Sequence, residues 1–278
     1  MPELPEIESL RRALRAAIQG AEVLGGGVNR QDMLHRVAGS VAHPLAPGDV
    51  VLELHRTGKQ LVIEMRSGAC LLLHLGMSGS IRVVAGDAPP ESHVHASWRL
   101  RRGDTNLSLR HRDPRRFGWL ESHASMDSVR THAWSMLGPD ALEVSAEHLQ
   151  GALRESRRPL KSLLLDQRRI AGLGNIYVDE ILFRAGIHPE CRTDRVPPDA
   201  VKRLARVTRD VLLRAVELGG STIRDHRTAD GRWGSFQQEH RVYGRSGQPC
   251  PVCRSPLSSK LVAQRTTVFC RACQRRRP

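Results

Sequence analysis

Aromatic side chains are scarce in this 278-residue chain, where Phe, Tyr and Trp together make up 4%. A core built on stacked rings is therefore excluded, and the 40% of residues that are hydrophobic must form aliphatic cores of Leu, Val, Ile and Ala. Long apolar runs are missing too. The longest, Ala69–Leu73, falls far short of the roughly 20 residues that span a bilayer, so no transmembrane segment is expected. The N-terminus carries Glu3, Glu6 and Glu8 where a secretory leader would be apolar, which predicts a cytoplasmic protein. In that compartment the six cysteines are not expected to pair as disulfides. No internal repeat is visible. Acidic residues are outnumbered, 29 Asp and Glu against 43 Lys and Arg, leaving a net charge of +14. A chain this basic repels itself and attracts polyanions; nucleic acid is the leading partner class and an anionic membrane surface the runner-up.

The length favours two domains over one. Leu4, Ile7, Leu10, Leu14 and Ile18 recur at helical spacing, which predicts a helix over 2–19, opened by Pro2 and stopped by Gly20. From Val50 to Glu121 the pattern changes to short strands separated by Gly, Asp and Pro turns. They are expected over 50–54, 61–65, 71–75, 80–84, 98–101, 107–110 and 118–121, as in a sandwich or barrel. Beyond Leu137 the chain turns helical, with helices expected over 146–154, 161–165, 176–185 and 200–218. Residues 219–240 lack periodicity and read as a long loop, a place where function often resides. The tail, 243–278, is a cysteine module.

The most specific local signal lies in that tail. Cys250 and Cys253 are followed, after sixteen residues, by Cys270 and Cys273. Two thiolate pairs at this spacing suit one tetrahedral Zn2+, and four protein ligands close the shell, so the metal is structural. Lys260, Arg265, Arg271 and Arg275–Arg277 would make this finger a phosphate gripper. A purely DNA-coating zinc-finger protein would look the same. Arg254 follows Cys253 where a knuckle turn calls for φ > 0, a costly conformation for arginine.

Met1-Pro2-Glu3-Leu4-Pro5-Glu6 has a bland reading, good helix-start grammar, and a chemical one. Initiator Met is readily removed before proline. That would expose a secondary amine whose pKa, near ~8 for an α-amine, leaves a useful neutral fraction at pH 7. Such an amine attacking a sugar aldehyde carbon gives an iminium, an electron sink for elimination, and an adjacent carboxylate can shuttle protons. Two further segments, His74–Gly79 and Asp113–Gly118, fall between strands. Met77, Arg115 and Phe117 are unusual choices for solvated turns, although apolar wedges do enter duplexes. Gly172-Leu173-Gly174-Asn175 between two helical stretches resembles a helix-turn-helix variant that presents amides to phosphate.

Taken together, PELPEIE at the N-terminus, Thr57-Gly58-Lys59, HLGMSGS, DPRRFG, GLGNIYVDE, Gly186–Pro189, Val242-Tyr243-Gly244-Arg245 and the four-cysteine finger with Gln264-Arg265 run end to end in one order. In that order the chain resembles the bacterial formamidopyrimidine-DNA glycosylase family. The resemblance implies an α+β chain in three parts. These are a catalytic β-sandwich with an N-terminal helix over 1–135, a helical domain with a helix–two-turn–helix and a lesion-covering loop over 136–240, and a zinc finger over 241–278. It implies a nucleoid-associated monomer that binds damaged double-stranded DNA in a cleft, touches no membrane, and flips the lesion out. Pro2 would attack C1′, Glu3 would carry the proton that opens the sugar, Glu6 would help arrange the site, and Lys59 would contact phosphate and assist. Met77, Arg115 and Phe117 would fill the void and pair with the orphaned base. Asn175 and Arg265 would grip flanking phosphates, with Lys161, His95 and Tyr243 also at the DNA. No catalytic metal or organic cofactor is implied. An endonuclease VIII-like enzyme for oxidised pyrimidines shares the proline, Glu3 and the finger, but typically lacks the Met77 and DPRRFG set. Arg232-Trp233-Gly234 falls in the lesion-covering region, which varies within the family.

Overall fold

The computed structural model describes residues 2–37, 40–221 and 234–275. They form two compact units, one of described residues up to 136 with 219–221 and 234–235, the other of 137–218 with 236–275.

The first unit begins with helix α1, Leu4–Ile18, followed by strands β1 (Glu22–Val28), β2 (Leu34–Arg36), β3 (Val51–Thr57), β4 (Gln60–Met65), β5 (Cys70–His74), β6 (Ser80–Ala85), β7 (Val94–Arg102), β8 (Thr105–Arg112) and β9 (Trp119–His123). They make two sheets, of order β1-β7-β8-β6 and β2-β9-β5-β4-β3, antiparallel except for the β2–β9 pair. Strand alternation turns Leu61, Ile63, Leu71, Leu73, Ile81, Leu100 and Leu109 into one aliphatic core shared with Ile7, Leu10, Leu14 and Ile18 of α1. A helical run over 126–136, opened by α2 (Met126–Ser128), covers Val62, Cys70 and Leu72 on the outer face of the five-stranded sheet.

Each strand expected from the sequence is present, with β1 and β2 in addition. β1 escaped notice because Gly25-Gly26-Gly27 carries no alternation. Gly26 is there for space: a Cβ on it, at φ +119°, would lie 2.2 Å from the Ser97 carbonyl oxygen. The first helix starts later than its periodicity predicts. Glu3 is its N-cap and Pro5 fills the first turn, so Pro2 stands just outside the helix.

The second unit holds α3 (Ala146–Arg154), α4 (Leu160–Leu164), α5 (Asn175–Ala185), α6 (Pro198–Glu217) and the hairpin β10 (Ser258–Val262) and β11 (Arg265–Phe269). The finger is not autonomous, since Phe183 of α5 shares a small core with Val242, Leu257, Val268, Cys250 and Cys270.

α1 is also tied to its sheet by charge. Glu8, 5% exposed, accepts from Arg11 at 2.9 Å, Arg12 at 2.8 Å and Arg56 of β3 at 2.9 Å. Burial pushes this carboxyl up, but hydrogen bonds from the three guanidiniums outweigh burial and hold it at about 2. A folded-state pKa depressed from 4.5 to about 2 contributes stability above pH 4.5 that is lost as pH falls through that window. Glu8→Gln should therefore cost on the order of 3 kcal/mol at pH 7 and almost nothing near pH 2, measured by urea unfolding across pH. An equal loss at both pH values would show that shape rather than charge matters at this position.

Candidate nucleic-acid site

At the start of α1 the backbone N–H of Glu3 donates to Glu6 Oε2 at 2.8 Å, and the two residues form a reciprocal capping box. Pro2, Glu3 and Glu6 are all buried. The other Glu6 oxygen accepts the Ser221 N–H at 2.6 Å. Gly220, at φ +79°, is what lets the chain come so close, since a Cβ there would lie 2.4 Å from Glu6 Oε1. Glu6 thus fixes both the residue beside Pro2 and the chain leading into 222–233. That segment, with Arg232 and Trp233, lies outside the described residues, as do Met1 and Arg276–Arg277.

Lys59 is placed by the two-residue turn between β3 and β4, with Gly58 at φ +56° in the first turn position. Arg56, already held by Glu8, donates to the Gly58 carbonyl at 3.1 Å, so the helix that carries Glu3 also anchors the Lys59 turn. Neither Glu8 nor Arg56 was singled out from the sequence; a carboxylate followed by arginines at positions three and four later was the available signal.

Met77, 45% exposed, and Phe117, 49% exposed, project from neighbouring loops, and the Arg115 guanidinium lies 4.6 Å from the Phe117 ring centroid. Between the loops sits fully buried Asp113. Its Oδ1 accepts the Ser78 hydroxyl at 2.5 Å and its Oδ2 the Gly118 N–H at 2.8 Å. His95 is half-buried, with Nε2 2.9 Å from the Asp113 carbonyl oxygen. A carbonyl only accepts, so Nε2 carries the proton, and His95 braces this loop from β7.

In the second unit Asn175 opens α5, placing the positive end of an eleven-residue helix at that residue. Its Nδ2 donates to the Thr266 carbonyl at 3.0 Å, next to exposed Arg265. The helix start and the finger hairpin, expected to act together, are brought together. Tyr243 is half-buried; its N–H and that of Val242 each donate to the fully buried Glu180 carboxylate at 2.9 Å.

Lys161 requires a correction as a DNA contact. It is fully buried, its Nζ donating to Asp179 Oδ1 at 2.6 Å and lying 3.5 Å from the Thr266 carbonyl oxygen. Asp179 Oδ2 accepts the Val268 N–H at 3.0 Å. Burial pushes the Asp179 carboxyl up to about 6, against the pull of Lys161 and that amide. The pair holds β11, and with it Arg265, against α4 and α5; the ammonium itself faces no solvent. The sequence reading missed this because the apolar spacing of 160–165 gives no sign of which way the lysine points.

The four cysteine sulfurs lie within 4.8 Å of one another, with Cys250 and Cys273 at 3.9 Å and Cys253 and Cys270 at 3.4 Å. A zinc with Zn–S bonds of ~2.3 Å requires S···S edges of roughly 3.8 Å, so the cluster fits one structural zinc. Arg254 takes φ +66°, as its place in the knuckle demands. The β10–β11 turn is strained as well, with Ala263 at φ +51° and Gln264 at φ +58°.

Three family models match the chain in sequence: the formamidopyrimidine-DNA glycosylase N-terminal domain over residues 1–120, its H2TH domain over 137–227, and the zinc finger found in FPG and IleRS over 247–276. A formamidopyrimidine-DNA glycosylase of Xanthomonas campestris is 39% identical, covering 99% of this chain and 100% of its own. The chain belongs to the formamidopyrimidine-DNA glycosylase family. Among solved structures, the MutM (Fpg) protein of Thermus thermophilus superposes with a TM-score of 0.86 at 41% identity, covering 100% of both chains. The wild-type Fpg of Lactococcus lactis, in a complex with DNA containing N7-benzyl-Fapy-dG, gives 0.89 at 32% identity, covering 99% of this chain and 100% of its own.

Two measurements test these braces in this glycosylase-family chain. Lys161→Met leaves Asp179 buried beside no cation and should cost about 4 kcal/mol, whereas Lys161→Met with Asp179→Leu should recover most of it. Additive losses in that cycle would mean that the pair is not coupled. Arg254→Gly should stabilise the zinc-loaded protein by about 1 kcal/mol and slow zinc release to a chelator; unchanged release would place no strain at the knuckle.

Proposed function

We propose that the protein is a bifunctional glycosylase of base excision repair. It removes oxidised purines such as 8-oxoguanine and formamidopyrimidines from duplex DNA and then cuts the strand at the abasic site. The observation that carries this reading is the buried Pro2–Glu3–Glu6 constellation at the head of α1. With Met1 removed, the Pro2 nitrogen attacks C1′ of the flipped nucleotide and the N-glycosidic bond breaks with release of the base. Glu3 delivers the proton that opens the sugar, leaving an iminium between Pro2 and C1′. Loss of a C2′ proton then expels the 3′ phosphate by β-elimination, and δ-elimination expels the 5′ phosphate, leaving a one-nucleotide gap. Lys59 sits on the adjoining turn to receive a phosphate. Flipping costs a few kcal/mol, and Met77, Arg115 and Phe117 offset it by filling the vacated stack. Asn175 and Arg265 grip phosphates beside the lesion, while His95 and Tyr243 line the DNA surface.

We place this chemistry in residues 1–135, phosphate binding and lesion cover in 136–240, and the finger in 241–278. The enzyme acts as a monomer on the chromosome in the cytoplasm; no helix among the described residues is long and apolar enough to cross a membrane.

Excision of 8-oxoguanine opposite cytosine should greatly exceed excision from a thymine glycol duplex; the reverse order would favour the pyrimidine-specific alternative. Glu3→Gln should lose base excision while keeping part of its cleavage of a preformed abasic site. Wild-type excision by that variant would remove Glu3 from the role of proton carrier.

A further inference from the structure

We infer that Asp113 is a positioning residue that locks Met77, Arg115 and Phe117 into one preformed wedge. The inference rests on reading those three side chains as the wedge. The loops bearing them, 75–79 after β5 and 113–118 after β8, are distant in sequence but meet at backbone level. A Cβ on Gly76, at φ +59°, would lie 2.4 Å from the Phe117 carbonyl, and one on Gly118 would lie 2.7 Å from the His74 carbonyl oxygen. Any other residue at either position would push the loops apart.

Into this seam comes the Asp113 carboxylate, fully buried in a chain of net charge +14. Burying an ionised carboxylate is costly unless its oxygens are hydrogen-bonded. The donors here are Ser78 Oγ, beside Met77; the N–H of Arg115 itself, at 3.3 Å; and the Gly118 N–H, beside Phe117. The Ser78 hydroxyl oxygen also accepts the Arg115 N–H at 3.3 Å, linking the loops a second time. Burial pushes Asp113 up, yet Ser78, the two amides and nearby His111 hold it below the usual carboxylate range, so it stays an acceptor. The main chain of Asp113 is pinned at the start of β7, its N–H donating to the carbonyl of His93, just before the strand, at 3.0 Å and its carbonyl accepting from His95. Arg116 is held at φ +54°, a strained conformation that persists only where the surroundings fix it.

Each exposed wedge residue is therefore one bond or less from a donor to the same carboxylate. A solvated loop with such side chains would have to be ordered when it entered the duplex, and that cost would come out of the binding free energy. The clamp places the ordering cost in folding instead.

Asp113→Asn keeps the shape but turns one acceptor into a donor, so either the Gly118 N–H or the Arg115 N–H loses its acceptor. The test compares excision of 8-oxoguanine opposite cytosine with cleavage of a duplex holding a preformed abasic site. In the first duplex a 2-aminopurine next to that cytosine reports insertion of the wedge. For Asp113→Asn the ratio of the two rates should fall about tenfold and the fluorescence rise should slow in parallel. Asp113→Asn added to Met77→Ala should lower that ratio by much less than it does alone. Should Asp113→Asn not fold, Ser78→Ala carries the test, with an expected fall of about threefold. If the Met77, Arg115 and Phe117 alanine variants leave the ratio unchanged, the wedge reading fails and this inference with it. If they lower it while Asp113→Asn and Ser78→Ala do not, the wedge stands and the positioning role is overturned.

Discussion

The Glu6 carboxylate divides itself between two backbone amides that are far apart in sequence, Glu3 on one side and Ser221 on the other. The position of the chain start depends on this. Pro2 precedes the helix, and with no fixed Glu3 amide it would be the end of a fraying first turn. Held by Glu6, Glu3 becomes the cap of a helix whose Ile7, Leu10, Leu14 and Ile18 are set in the aliphatic core. Glu8 carries the same fixity to Arg56 and on to the Gly58–Lys59 turn.

The device recurs in both units. Asp113 collects donors from two loops, Asp179 joins Lys161 to Val268, and Glu180 gathers the amides of Arg241, Val242 and Tyr243. Buried carboxylates need such partners, and loop amides need acceptors, so each satisfies the other. One consequence is electrostatic. A chain with 29 acidic and 43 basic residues that buries several of its acids leaves its surface more basic than its formal charge suggests. That surface favours association with a phosphate backbone and makes binding sensitive to salt.

How far the sequence alone reached follows from which interactions are local. The zinc site was legible because ligand spacing is a property of a short stretch, and the strands between Val51 and His123 because alternation and turn residues mark each one; the choice of sandwich over barrel came from the family resemblance. Of the helices between Ala146 and Glu217, the last showed its face at a spacing of three and four. β1 was hidden by its glycines, of which Gly26 allows the close approach to Ser97. The bracing acids, Asp113, Asp179 and Glu180, lie within DPRRFG and GLGNIYVDE, but their roles had no local sign, because most of their partners are amides and side chains from other loops. Lys161 was put at the DNA by the resemblance alone, and nothing local showed that it would be buried against Asp179.

The amine at the head of α1 is the nucleophile we propose. Borohydride reduction during reaction with an abasic duplex, followed by peptide mass spectrometry, reads this directly. The account predicts one covalent adduct per chain, mapped to Pro2, in protein lacking Met1, and none in protein from which Met1 has not been removed. Full trapping by chains that retain Met1, or an adduct mapped to Lys59, would contradict it.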